Sequence, residues 1–192
     1  MLQGWRGGLV FSTQKFEGTN MKKSKNNQMK VTVGLLIVYA VVLAWGILFK
    51  MQFPLRYLHN LRGLNLIPFA RSVIINNKLD YSEIILNMIA FIPLGLYVSM
   101  IKPGWAVWSR IMVAAGVSLL FETLQFLFAI GITDITDVIS NTLGGVVGIG
   151  IYAAFSKLLK EKTPKVLNVI ALIGTMGMVL LLGVLVYNSQ TN

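Results

Sequence analysis

The sequence predicts an all-α integral membrane protein, a helical bundle of about five transmembrane helices with the N-terminus in and the C-terminus out. Three observations carry that reading. The 192 residues are 55% hydrophobic and 12% charged, where soluble domains carry about a quarter charged residues. The mean hydropathy is +0.70. Apolar stretches at about 31–49, 82–101, 109–130, 137–155 and 167–187 each approach the ~20 residues that cross a bilayer.

Residues 1–30 are polar, basic and unpatterned, and are expected to form a disordered tail. Within them "MKKSKNNQMK" from Met21 reads as a natural start ahead of a membrane helix. The first helix lacks an A-x-A-like cleavage site and is long enough to remain in the bilayer, so it is not a cleaved signal. The second contains Pro93 and Gly95, which predict a kink or an early break. Residues 31–160 form the expected membrane domain, and 161–192 a linker and the fifth helix. Orientation follows from the basic residues of the loops. With the N-terminus inside, twelve Lys and Arg collect on the cytoplasmic side and five outside. Both the loop before the second helix and the loop around Asp134 then face outwards.

Composition excludes several classes of function. There is no cysteine, which removes disulfides, iron–sulfur clusters and thiolate zinc sites. One histidine, His59, cannot build a His-rich metal site, and no cofactor is expected. In a chain this apolar the net charge of +10 orients helices and meets anionic lipid; it does not imply nucleic acid.

Acids and amides inside membrane helices are costly and usually face a bundle interior or a wet cavity. Here they form stripes. Glu83 and Asn87 are four apart on the second helix, and Ser118, Glu122 and Gln125 share one face of the third. Asp134, Asp137, Asn141, Gly144 and Gly148 follow at steps of three and four. At 1.5 Å per residue, Asn87, Gln125 and Asn141 lie roughly 8 Å below the outer helix ends, and Glu122 about 12 Å. Converging stripes would make an outward-facing polar pocket. The alternatives are plain ones. Gln125 and Asn141 can be helix–helix glue, and Asp134 can simply cap the fourth helix. Gly144, Gly145 and Gly148 read as a close-packing surface, with a GxxxG spacing between Gly144 and Gly148. In the outward loop, Asn65, Pro68, Phe69 and Arg71 of "NLIPFAR" mark a bend. It either packs back on the bundle or forms a lid or re-entrant segment bringing Arg71 towards the acids.

These stretches together resemble the VanZ family of membrane proteins. The matching pieces are "NLIPF" (65–69), "NMIAFIPLGL" (87–96), "FETLQFLFAIG" (121–131) and "TDITDVISNTLGG" (133–145), in one collinear order across about residues 31–160. The resemblance implies a multi-pass cell-membrane protein of Gram-positive bacteria, an antibiotic-resistance accessory that lowers susceptibility to the glycopeptide teicoplanin. It implies no reaction. Its polar positions carry over as Asn65, Asn87, Glu122, Gln125, Asp134, Asp137 and Asn141. Many members have Arg three residues before the first Asp and an acid immediately before the second; here those positions are Gly131 and Thr136.

The leading expectation is a non-enzymatic or unclassified envelope protein that binds a cell-envelope component, a lipid carrier or a lipoglycopeptide beside the membrane lipids. One alternative is a membrane enzyme acting on a lipid-linked cell-wall precursor, with the acids as general acid and base or as ligands of a hard cation at Glu122, Asp134 and Asp137. The other is a small proton-coupled transporter titrating at Glu122, which would need a homodimer formed through Gly144 and Gly148.

Overall fold

The computed structural model describes residues 4–48, 61–69, 74–75, 78–79 and 81–191. Helix α1 runs from Gly4 to Leu48, taking in the tail that the sequence leaves unpatterned. The first proline of the chain is Pro54, so no ring interrupts this helix. Strand β1 (Leu61–Asn65) follows, then a short antiparallel hairpin of β2 (Ile74–Ile75) and β3 (Lys78–Leu79). Helix α2 spans Ser82–Ile101 and α3 Val107–Phe128. Strand β4 (Ile130–Asp134) leads directly into α4 (Ile135–Leu159). One 3-10 turn, Lys160–Lys162, separates α4 from α5 (Thr163–Thr191).

Among the described residues four stretches are long and apolar enough to cross a membrane: Lys23–Ile47, Ser82–Ile101, Val107–Phe128 and Ile135–Gly177. The sequence predicts about five. The difference lies in the expected fourth loop, which is a single turn, so α4 and the first part of α5 make one apolar run. The break between them is nevertheless real in the backbone. Lys160 has a φ of 49° and a ψ of −119°, a conformation that cannot continue an α-helix. Thr163 Oγ1 donates to the Lys160 carbonyl at 2.7 Å, which holds the corner.

The core joins α1, α2 and α3. Leu35, Tyr39 and Leu43 meet Phe91, Leu94, Tyr97 and Met100, with Ala114 and Phe121 behind. Phe91 and Phe121 stack edge to face, 6.4 Å between centroids, a favoured aromatic geometry. Tyr39 donates to the Ala90 carbonyl at 2.6 Å. That bond lies beside Pro93, whose missing N–H leaves the Ile89 carbonyl without its helical donor. At the α2–α3 turn Arg110 donates to the carbonyls of Pro103 and Trp105, and Lys102 lies over the Trp105 ring at 5.5 Å.

The tightest packing is between α2 and α4. A Cβ built on Gly144 would stand 2.1 Å from the Met88 carbonyl oxygen, and one on Gly148 2.0 Å from that of Ile92. Only hydrogen fits at these two positions. The four-residue step of glycines on α4 therefore faces a four-residue step of carbonyls on α2, and the two backbones touch.

Candidate polar site at one end of the bundle

The strands bring the site together. β1 and β4 pair in parallel, from Leu61 opposite Ile130 to Asn65 opposite Asp134. This pairing joins the segment before α2 to the corner between α3 and α4. The corner itself starts at Ala129, whose φ of 52° ends α3 in a left-handed cap. Its N–H bonds the carbonyls of Gln125 and Phe126, and the chain leaves the helix as β4.

Asp134 sits where β4 becomes α4, and it is bonded in several directions. Its Oδ1 accepts the Thr136 N–H at 2.8 Å, the N-terminal cap of α4. Its Oδ2 accepts Asn65 Nδ2 at 2.9 Å. Its own N–H donates to Glu122 Oε2 at 2.9 Å. Thr133 donates through its hydroxyl to the Glu122 carbonyl at 3.0 Å. Glu122 is thus bound to the β4 corner by both its carboxylate and its backbone, and it is 1% exposed. An amide donor aimed at a buried carboxylate offsets part of its desolvation.

One turn into α4, Asp137 accepts Asn87 Nδ2 at 2.8 Å, tying α4 to the start of α2. Ser140 donates to the Asp137 carbonyl at 3.2 Å. Deeper still, Asn141 donates to Ser118 Oγ at 2.9 Å. Gln125 points the other way, donating to the Ile47 carbonyl of α1 at 2.8 Å. The Oδ1 of Asn141 and the Oε1 of Gln125 are buried acceptors with no donor among the described residues.

The predicted stripes therefore meet around one corner. Asn65, Asn87, Glu122, Asp134, Asp137 and Asn141 connect α2, α3, α4 and β1, while Gln125 ties the same face of α3 to α1. Glu83, at the first turn of α2, is exposed. Pro68 lies in the turn after β1, and Phe69, at φ 62°, donates its N–H to Thr136 Oγ1 at 3.0 Å. Arg71 lies outside the described residues.

Among the described residues no group of three or more His, Cys, Asp or Glu side chains is placed to hold a metal ion. Glu122 Oε2, both oxygens of Asp134 and Asp137 Oδ1 accept backbone or amide N–H groups. Gly144 and Gly148, the step through which a homodimer was expected, pack against α2 of the same chain.

Sequence reasoning missed the parallel strand pair and the role of Thr136. The β-branched run in "ITDIT" was the available strand signal, but the pairing joins segments nearly seventy residues apart and left no local trace. Gly131, where many family members carry Arg, is the register partner of Arg62.

A bundle of membrane-length apolar helices with carboxylates and amides gathered at one end defines an α-helical protein of the integral-membrane class. Comparison with known proteins narrows the class. Residues 36–160 match the VanZ/LLP1 family. Protein VanZ of Enterococcus faecium is 40% identical over 151 residues, 78% of this chain and 89% of that relative. The chain belongs to the VanZ/LLP1 family. No solved structure matches it.

Proposed function

We propose that this protein lowers susceptibility to teicoplanin-type glycopeptides by binding a cell-envelope component or its lipid carrier at the Asp134 corner, on the outer face of the membrane. The observation that carries the reading is the gathering of Asn65, Asn87, Glu122, Asp134 and Asp137 at one corner, with Asn141 Oδ1 below them a buried acceptor that has no donor among the described residues. Buried polar atoms are nearly always satisfied, so such an acceptor beneath a carboxylate–amide cluster favours a donor-rich guest. Hydroxyls and amides of an envelope glycolipid or lipoglycopeptide supply such donors, and its acyl chain holds it at the bilayer. Family membership and the likeness to Protein VanZ support the resistance context.

The test is a susceptibility assay in cells expressing the wild-type chain, Glu122→Gln, Asp137→Asn or Asn141→Leu at equal membrane levels. The chain is expected to raise the inhibitory concentration of teicoplanin several-fold over an empty vector. Each variant is expected to lose most of that gain. Full protection by all three, at equal amount and equal melting temperature, overturns the proposal.

A further inference from the structure

The end of β1 and the turn that follows it hold a feature that the polar cluster does not use. "GLNLIPF", Gly63 to Phe69, contains no charged residue. Four of its side chains are large, apolar and open: Leu64 at 58%, Leu66 at 65%, Ile67 at 69% and Phe69 at 54% exposure. Loops in water are normally polar and leave their backbone groups to the solvent. This one is apolar, and part of its backbone is paired within the protein. Ile67 donates its N–H to Asn65 Oδ1 at 3.3 Å, Pro68 has no N–H, and Phe69 donates to Thr136 Oγ1. Three successive positions thus present no free donor. Water would satisfy such groups at little cost, whereas in hydrocarbon each one must be paired internally.

The position of the loop agrees with its chemistry. Its base is fixed to α4 through Asn65–Asp134 and Phe69–Thr136. The neighbouring end of α3 exposes Leu127 and Phe128, so its apolar surface belongs to the same end of the bundle as the lipid-length helices. In the sequence, Arg62 and Arg71 flank it, the placement of cations that meet lipid phosphates at an interface.

We propose that residues 64–69 insert into the lipid leaflet at the Asp134 end of the bundle, as an apolar finger on a hydrogen-bonded base. The partner is the bilayer itself, and the proposal stands whatever the polar cluster binds. The finger places the Asn65–Asp134 pair at headgroup depth, with lipid beside it.

The chain has no cysteine, so single-cysteine variants carry one nitroxide label each. Ile67→Cys and Leu66→Cys are compared in phosphatidylcholine–phosphatidylglycerol vesicles with Leu119→Cys, an exposed apolar position on α3, and Lys25→Cys, an exposed polar one on α1. Collision rates with oxygen and with a water-soluble nickel chelate are read by electron paramagnetic resonance. Labels at 66 and 67 are expected to collide more with oxygen than with nickel, grouping with Leu119→Cys. Nickel collisions as frequent as at Lys25→Cys overturn the proposal. So does low access to both probes, which would mean that protein covers the finger.

Discussion

Asp134 does two jobs with its two carboxylate oxygens, and the chemistry separates them. Oδ1 caps α4 and Oδ2 receives Asn65. In Asp134→Asn the new amide can keep its oxygen on the cap, but its nitrogen then confronts the Asn65 amide nitrogen, two donors face to face. We expect a loss of about 1.5–3 kcal/mol, the worth of a hydrogen bond to a charged group, read as a lower melting temperature by tryptophan fluorescence in detergent. Combining it with Asn65→Asp reverses the pair's polarity and restores a donor to each acceptor. That exchanged pair is expected to recover most of the loss, and no recovery would show that the contact does not couple the two strands. The capping role was legible in the sequence because capping is local: an Asp immediately ahead of an apolar helix is its own signal. The Asn65 contact was not, because nothing near Asn65 specifies a partner 69 positions away. The stripes put Asn87, Glu122 and Asn141 at similar depth, and in the fold their bonds run to Asp137, the Asp134 N–H and Ser118. Which atom bonds which depends on the β4 turn, and the turn depends on the left-handed Ala129 that no residue-type rule selects.

Between elements, two joints of different kinds hold the bundle. The α2–α4 joint is made of absence: Gly144 and Gly148 let carbonyls approach where any side chain would collide. Gly148→Ala is expected to force the helices apart at a cost of about 1–3 kcal/mol, lowering the melting temperature in detergent. Gly150→Ala, on the same helix but with open space around its missing Cβ, is expected to leave it unchanged or raise it slightly. Equal effects of the two would remove the seam from the account. The α1–α5 joint is polar. Asn168 donates to the Gln28 carbonyl and side-chain oxygen at 3.2 and 3.0 Å, and accepts Thr32 Oγ1 at 2.9 Å. Since α5 leans on α1 far more than on α4, Asn168→Ala should loosen α5 at its base. Faster tryptic cleavage in the Lys160–Lys165 corner, with melting of the rest little changed, is the expected sign. Helix spans were the most legible part of the fold, because hydropathy measures burial in lipid directly; the apolar stretch at about 82–101 corresponds to α2, Ser82–Ile101. The count was less secure where a loop shrank to one 3-10 turn, which leaves no polar gap in the apolar run.

For the whole molecule, the sequence puts the larger share of the basic residues at the end opposite the polar corner, although Arg62 stands in β1 at the corner itself. Asp134, Asp137 and Asn65 gather where α2 and α4 begin, and Lys102, Arg110, Lys157, Lys160 and Lys162 cluster where they end. Basic residues are retained on the cytoplasmic side because translocating them is unfavourable, so the Asp134 corner should face out. The proposed function depends on this, since an extracellular glycopeptide meets only the outer face. The cysteine-free background again gives a clean test. Tyr81→Cys reports the Asp134 end and Glu161→Cys the opposite end, both at exposed positions. A membrane-impermeant maleimide applied to intact cells is expected to label the first, and to label the second only after the membrane is opened. The reverse pattern would put the carboxylate–amide corner in the cytoplasm. It would leave the finger free to insert into the inner leaflet but would remove any direct encounter with an external antibiotic. The experiment thus separates the physical claim about the lipid-facing loop from the functional claim about the polar corner beside it.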